Sequence, residues 1–180
     1  MPKYIALMRG INVAGHKSVR MAELRGWVEA LGYEEVTTYM QSGNLVFRSG
    51  QSATKVRDAL RRAVLAESGF DIPVVVRTAS QLGAVIDNNP FAKEAADEPK
   101  FVHVAFLSGS PSASKLNVLL GIDSGADRCE LSGRELYLHF ADGAGKTKWL
   151  NTVIEKTLGV DSTSRNWNSV LKLAGMLKNS

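Results

Sequence analysis

Hydrophobic positions alternate along the chain between short unbroken runs and stretches with an apolar residue at every third or fourth place, the marks of strands and of one-faced helices. Residues 3–9 are an apolar, strand-compatible run that stops at Gly10. A polar, glycine-containing loop over residues 10–20 follows. Met21, Leu24, Trp27, Val28 and Leu31 then fall at helical spacing, with Gly32 placed to end the helix in a left-handed conformation. Residues 35–40 and 44–48 are β-prone runs joined by Gln41, Ser42 and Gly43, which predicts a hairpin. Ser52 is placed to cap a second helix that buries Val56, Leu60, Ala63 and Val64, ends at Gly69, and carries Lys55, Arg61 and Arg62 on its outer face. Residues 73–77 complete the series β-α-β-β-α-β, the order of a ferredoxin-like domain, placed here at residues 1–79.

Residues 81–87 predict a short helix stopped by Asn88, Asn89, Pro90 and Phe91, and residues 92–100 read as an exposed connection, so that 80–99 form a connecting helix and linker. Residues 101–107 open a second half as a strand, and Ser110 followed by Pro111 predicts a helix start in cap-then-proline order. A hairpin over residues 129–131 and 135–140 turns at Ser132 and Gly133. Thr147 is placed to cap a helix through Trp149, Leu150, Val153, Ile154 and Leu158 to Gly159. The fourth strand position holds only residues 160–164. A final helix, capped by Thr163 or Ser164, sets Trp167, Val170, Leu171, Ala174 and Leu177 on one face. The order of the first half thus recurs over residues 100–180. The expected fold class is α+β: two tandem ferredoxin-like (βαββαβ) halves, with antiparallel sheets and helices packed on one face, and an extra helix at the end. The halves share no evident residue-level identity.

At 180 residues and 44% hydrophobic, the chain is long enough for one sizeable core or two small ones. Its single cysteine, Cys129, excludes an internal disulfide and thiolate-cluster metal sites, and fits a reducing compartment. The first apolar run is too short for a signal segment and is followed at once by Arg9. No stretch approaches the roughly 18 apolar residues of a membrane helix. A cytoplasmic protein with no membrane partner is expected. The net charge of +4 is uneven: residues 1–70 hold ten Lys or Arg against six Asp or Glu, residues 71–99 two against five, and residues 100–180 ten against seven. That permits an anionic partner without forming the clustered stripe of a dedicated nucleic-acid binder.

Chain order also places a site. In a sheet of this topology the first and third strands are antiparallel neighbours, which sets Arg9, Gly10, Asn12 and Lys17 in the loop after the first strand against Tyr39, Gln41, Ser42, Gly43 and Asn44 at the hairpin. Polar groups converging from two loops describe a binding site; turn chemistry alone explains the same residue types, and both readings stand. His16 is the only histidine in this region, and no histidine stands at metal-ligand spacing, so no metal site is predicted. Two glycine-rich stretches fail as nucleotide loops: residues 10–18 have His16 between the second glycine and Lys17, and residues 143–147 lack the first glycine, with Phe140 in its place. Each leaves room only for an anion resting on a helix N-terminus. Arg165 and Asn166 open the last helix beside its free N–H groups, where an oxyanion is also favoured. Cys129 reads as a buried thiol, and the stacking aromatics of an RNA-binding sheet are missing.

The run Met8-Arg9-Gly10-Ile11-Asn12-Val13-Ala14-Gly15, the run Met21-Ala22-Glu23-Leu24-Arg25, the block from Thr38 through Gln41-Ser42-Gly43-Asn44 to Phe47, and the closing Ser164-Arg165-Asn166-Trp167-Asn168 through Leu173 resemble the domain of unknown function 1697 family. Ala14-Gly15 stands where that pattern has Gly-Gly, and Ser169 where it has Thr. The resemblance implies a bacterial cytoplasmic protein of two ferredoxin-like halves and implies no reaction. It makes Arg9, Gly10, Asn12, Ser42, Gly43, Asn44, Arg165 and Asn166 counterparts of the family's signature residues. The expected function is binding of a small anionic ligand, a nucleotide or phosphorylated metabolite, through Arg9, Lys17, Asn44 and Arg165. The alternatives are nucleic-acid binding through the basic helix faces, or an enzyme with His16 or Tyr39 as acid or base. No cofactor is identified.

Overall fold

The computed structural model describes residues 1–179 and separates into two units, Met1–Ala84 with the C-terminal residues from Lys172 onward, and Val85–Leu171. In the first, the apolar run becomes β1 (Lys3–Met8), followed by α1 (Met21–Glu29), β2 (Glu34–Tyr39), β3 (Asn44–Arg48), α2 (Ala53–Ser68), β4 (Val74–Thr78) and α3 (Ala79–Asp87). The sheet is antiparallel in the order β2-β3-β1-β4. Tyr4, Ala6 and Met8 of β1 join Leu24 and Val28 of α1 and Val56, Leu60 and Val64 of α2 in one core. The intervening Ile5 and Leu7 are buried as well. Burial on both faces is why this strand reads as an unbroken apolar run and not as an alternation. Ser52 caps α2 by accepting from the Lys55 amide, Gly69 ends it at φ +77°, and Thr78 and Gln81 exchange reciprocal bonds across the first turn of α3.

The second unit repeats the series as β5 (Val102–Leu107), α5 (Ala113–Leu120), β6 (Arg128–Ser132), β7 (Glu135–His139), α6 (Asn151–Leu158) and β8 (Ser162–Asn166), in sheet order β6-β7-β5-β8, and α7 (Trp167–Asn179) begins in it, its residues from Lys172 onward belonging to the first unit. Individual bonds repeat too. Met8 N donates to Gly43 O at 2.9 Å and Arg9 N to Pro73 O at 3.1 Å, while Leu107 N donates to Arg134 O and Ser108 N to Asp161 O, both at 2.9 Å. Arg77 in β4 stands opposite Ile5 and Arg165 in β8 opposite Val104, and both arginines are buried one residue before the strand ends and the next helix begins. Two four-stranded antiparallel sheets and seven α-helices, among the described residues, make the chain α+β.

Several boundaries depart from the sequence pattern. Residues 92–100, expected as an exposed connection, form α4 (Ala92–Asp97) and a 3-10 turn (Pro99–Phe101), because Ala95 finds a buried place that gives the alanine-rich segment one anchored face. The helix expected to start at Ser110-Pro111 starts after Ser112, whose hydroxyl accepts from the Lys115 amide. Thr147 does not cap a helix: α6 begins at Asn151, and Thr147 Oγ1 instead accepts from the Trp149 amide at 3.1 Å, turning that indole into the core ahead of the helix. β8 spans Ser162–Asn166 and not 160–164, so Thr163 and Ser164 lie within the strand and the α7 cap is Asn166, which accepts from the Ser169 amide at 3.0 Å. No helix among the described residues is long and apolar enough to cross a membrane.

Candidate functional site

The Met8–Gly43 and Arg9–Pro73 bonds bring three connections of the first unit to one rim: residues 9–20 after β1, residues 40–43 between β2 and β3, and residues 69–73 before β4. Gly43 must be glycine. Its φ is +77°, and a Cβ there would lie 2.6 Å from Ile11 Cδ1 and 2.7 Å from Met8 Cβ. Buried Ile11 and Val19 fasten the two ends of the long loop. Between them the chain makes a small hairpin of its own, closed by Asn12 N to Lys17 O at 3.1 Å and His16 N to Val13 O at 2.9 Å. Ala14 and Gly15, at its tip, both have positive φ, as a type I′ turn requires.

Asn12 is the knot. At φ +54° its carboxamide oxygen accepts from the Val19 amide at 2.8 Å, and its Nδ2 donates to Val19 O at 2.8 Å and across to Gln41 O at 2.7 Å. Asn44, 1% exposed, similarly donates to Tyr39 O at 2.8 Å and Ser42 Oγ at 2.9 Å, which shapes the hairpin. The two loops meet through the Met8–Gly43 and Asn12–Gln41 bonds, and at that contact both asparagines act as internal ties.

Arg61 binds Asp71 through two bonds of 2.6 and 2.9 Å, and this guanidinium, joined by the Lys17 ammonium, holds the Asp71 carboxyl below its usual range. The pair neutralises itself, and the loop after β1 carries Arg9, Lys17 and Arg20. The pairing also removes Arg61 from the exposed basic face that a nucleic-acid reading requires. Two apolar side chains stand out among these charges, Val13 at 59% and Met40 at 61% exposed, and Met40 too has a positive φ. Sequence reasoning passed over Val13, Met40, Arg20 and Asp71, because hydropathy treats a lone exposed apolar residue as core and a lone charge as solvated.

Over residues 1–137 the chain matches the family described as protein of unknown function DUF1697. The chain belongs to the DUF1697 family. The match takes in the whole rim and stops before the Ser164–Leu173 motif. This DUF1697 chain is also similar to a solved structure described as the conserved bacterial protein SP0830 from Streptococcus pneumoniae, at 24% identity, 98% of each chain and a TM-score of 0.79, which speaks for the fold. Comparison with curated proteins finds no match.

The remaining predicted residues of this DUF1697 member lie in the second unit. Arg165 donates to Thr163 Oγ1 at 2.6 Å and Ser164 O at 2.9 Å, and burial draws its pKa down to about 10. Asn166 is the α7 cap. Residues 143–147 cannot present a helix N-terminus to an anion, since α6 starts at Asn151; Gly143 and Lys146 are in successive turns instead. No cluster of His, Cys, Asp and Glu among the described residues is arranged to hold a metal ion.

Proposed function

We propose that the chain is a cytoplasmic protein of two tandem ferredoxin-like domains, and that the rim of the first binds a small anionic ligand, a nucleotide or a phosphorylated metabolite. The strand order of each sheet supports the domain reading. The observation that carries the ligand reading is an internal comparison. The second unit joins β5 to α5 with residues 108–112, whereas the first joins β1 to α1 with residues 9–20, through Gly10, Asn12, Ala14, Gly15 and Lys17 at positive φ. The topology does not need the longer loop. Three of those five residues are not glycine, and a left-handed non-glycine residue carries about 1–2 kcal/mol of strain. Such strain persists where a rigid presentation is useful, and the strained loop carries both Arg9 and Lys17.

Charge-assisted bonds from Arg9 and Lys17 to phosphate oxygens would hold the ligand, with Asn12 and Asn44 fixing the two loops that carry them. Each such bond contributes about 1.5–3 kcal/mol, so removing one cation weakens binding by about 10- to 150-fold. The experiment is a thermal-shift panel of nucleotides and sugar phosphates, followed by calorimetric titration of any hit against Lys17→Ala. The expected result is a saturable shift that the variant loses. No shift with any anion at about 50 mM, above the roughly 0.04–6 mM that two charge-assisted bonds supply, rejects the reading.

A further inference from the structure

In the second unit the added length lies at the opposite end from its own Leu107–Arg134 bond. The first unit joins α1 to β2 with residues 30–33 and β3 to α2 with residues 49–52; the second takes residues 121–127 and 140–150 for the same two connections. These longer connections are bonded to each other. Asp127 accepts from the Ala141 amide at 2.9 Å and from Ser124 Oγ at 2.7 Å. Ser124 Oγ also accepts from the Lys148 amide at 2.9 Å and lies 3.1 Å from Thr147 Oγ1, the atom that turns Trp149 inward. The glycine-rich stretch that fails as a phosphate loop thus belongs to a frame that sets one indole.

That frame borders a cavity of about 500 Å³ whose wall includes Phe91, Ile122, Cys129 and Trp149 on the apolar side and Asp123 and Glu130 on the polar side. The volume is that of a metabolite-sized site. Burial pushes the Cys129 thiol up to about 11, so it is an inert part of the wall. Arg128, also on the wall, is tied to Glu94 and lies 5.0 Å over the Phe91 ring, which leaves the lining negative through Asp123 and Glu130. Trp149 is 6% exposed, and its indole N–H has no hydrogen-bond partner among the described residues. Buried donors are rarely left so.

We propose that this cavity binds a small organic cation, an amine on a flat apolar body, with the body against the apolar wall that includes Trp149 and the ammonium toward Asp123 and Glu130. The site lies wholly in the second unit and does not rest on the rim of the first. The test titrates the full chain with tyramine, and with 4-hydroxyphenylacetate as the anion of matched body, and follows the indole N–H signals in proton–nitrogen spectra, the Trp149 signal being assigned with Trp149→Phe. Tyramine is expected to move that signal saturably with a Kd of about 1 mM or tighter, the range open to so small a ligand, and the anion to leave it in place. Asp123→Asn with Glu130→Gln is expected to weaken tyramine at least about tenfold. A Trp149 signal unmoved by tyramine at about 20 mM, an equal response to the anion, or unchanged affinity in the double variant each overturns the proposal. The cation-to-anion contrast is read on the unaltered chain, so it decides the matter even where the double variant folds poorly.

Discussion

The Asn12 carboxamide donates to the Gln41 carbonyl at 2.7 Å, joining two loops that are 29 residues apart in the chain. The same side chain closes its own loop on both polar groups of Val19, so one residue sets the shape of the long loop and its position on the hairpin.

Asn12→Ala removes all three bonds and puts a side chain less tolerant of left-handed backbone at φ +54°. At about 0.5–1.5 kcal/mol per bond, and with partial solvent replacement, the expected loss is about 2 kcal/mol in urea unfolding. Asn12→Asp keeps the Val19 N–H acceptor and should lose less.

Gly43 and Gly10 separate strain from collision. Both have positive φ, but a Cβ at Gly43 meets Ile11 and Met8, whereas at Gly10 it meets nothing within 4 Å. Gly10→Ala should cost about 1 kcal/mol and Gly43→Ala about 3 kcal/mol or more, read from denaturation midpoints.

Ala14 stands at φ +50° in the tip of the small hairpin, with Gly15 beside it already glycine. Ala14→Gly relieves about 1–2 kcal/mol of backbone strain against about 0.4–1 kcal/mol of added unfolded-state entropy. A net gain of about 0.5 kcal/mol in urea midpoint analysis is expected.

Cys129 has its thiol raised from 9.0 to about 11 by burial, so at pH 8 its thiolate population, and with it the alkylation rate by iodoacetamide, should be on the order of 100-fold below that of the unfolded chain. Between pH 9 and about 11 the folded thiol keeps a proton that the unfolded one has lost, so this contribution to stability falls as pH rises through that window. Cys129→Ala should flatten that part of the stability–pH curve.

The limits of local pattern are clearest around Trp149 and Asn166. Helical spacing put Trp149 on a helix because an indole that packs just ahead of a helix has the same sequence offset as one in its first turn. What distinguishes them is the Thr147 hydroxyl, which engages the Trp149 amide and, across 23 residues, Ser124. Asn166 was legible as a polar residue at a helix start, but whether Thr163, Ser164 or Asn166 caps depends on where β8 stops pairing with β5, and that register is a long-range property.

The sequence by itself determined the kind and order of the sheet strands and of the helices between them, though not α4, and the meeting of the first loop with the first hairpin. Burial period, glycine at left-handed positions and chain connectivity are local or topological constraints, and these act before any side chain finds a distant partner. Only the tertiary structure decided that Asn12 and Asn44 act as ties, that Arg61 is taken by Asp71, and that two lengthened connections of the second unit are bonded to each other beside an open cavity. Each of these depends on which polar atoms come within bonding distance after the core has formed. Hydrogen bonds and ion pairs are short-ranged and directional, and nothing in the spacing of residues along a chain specifies them.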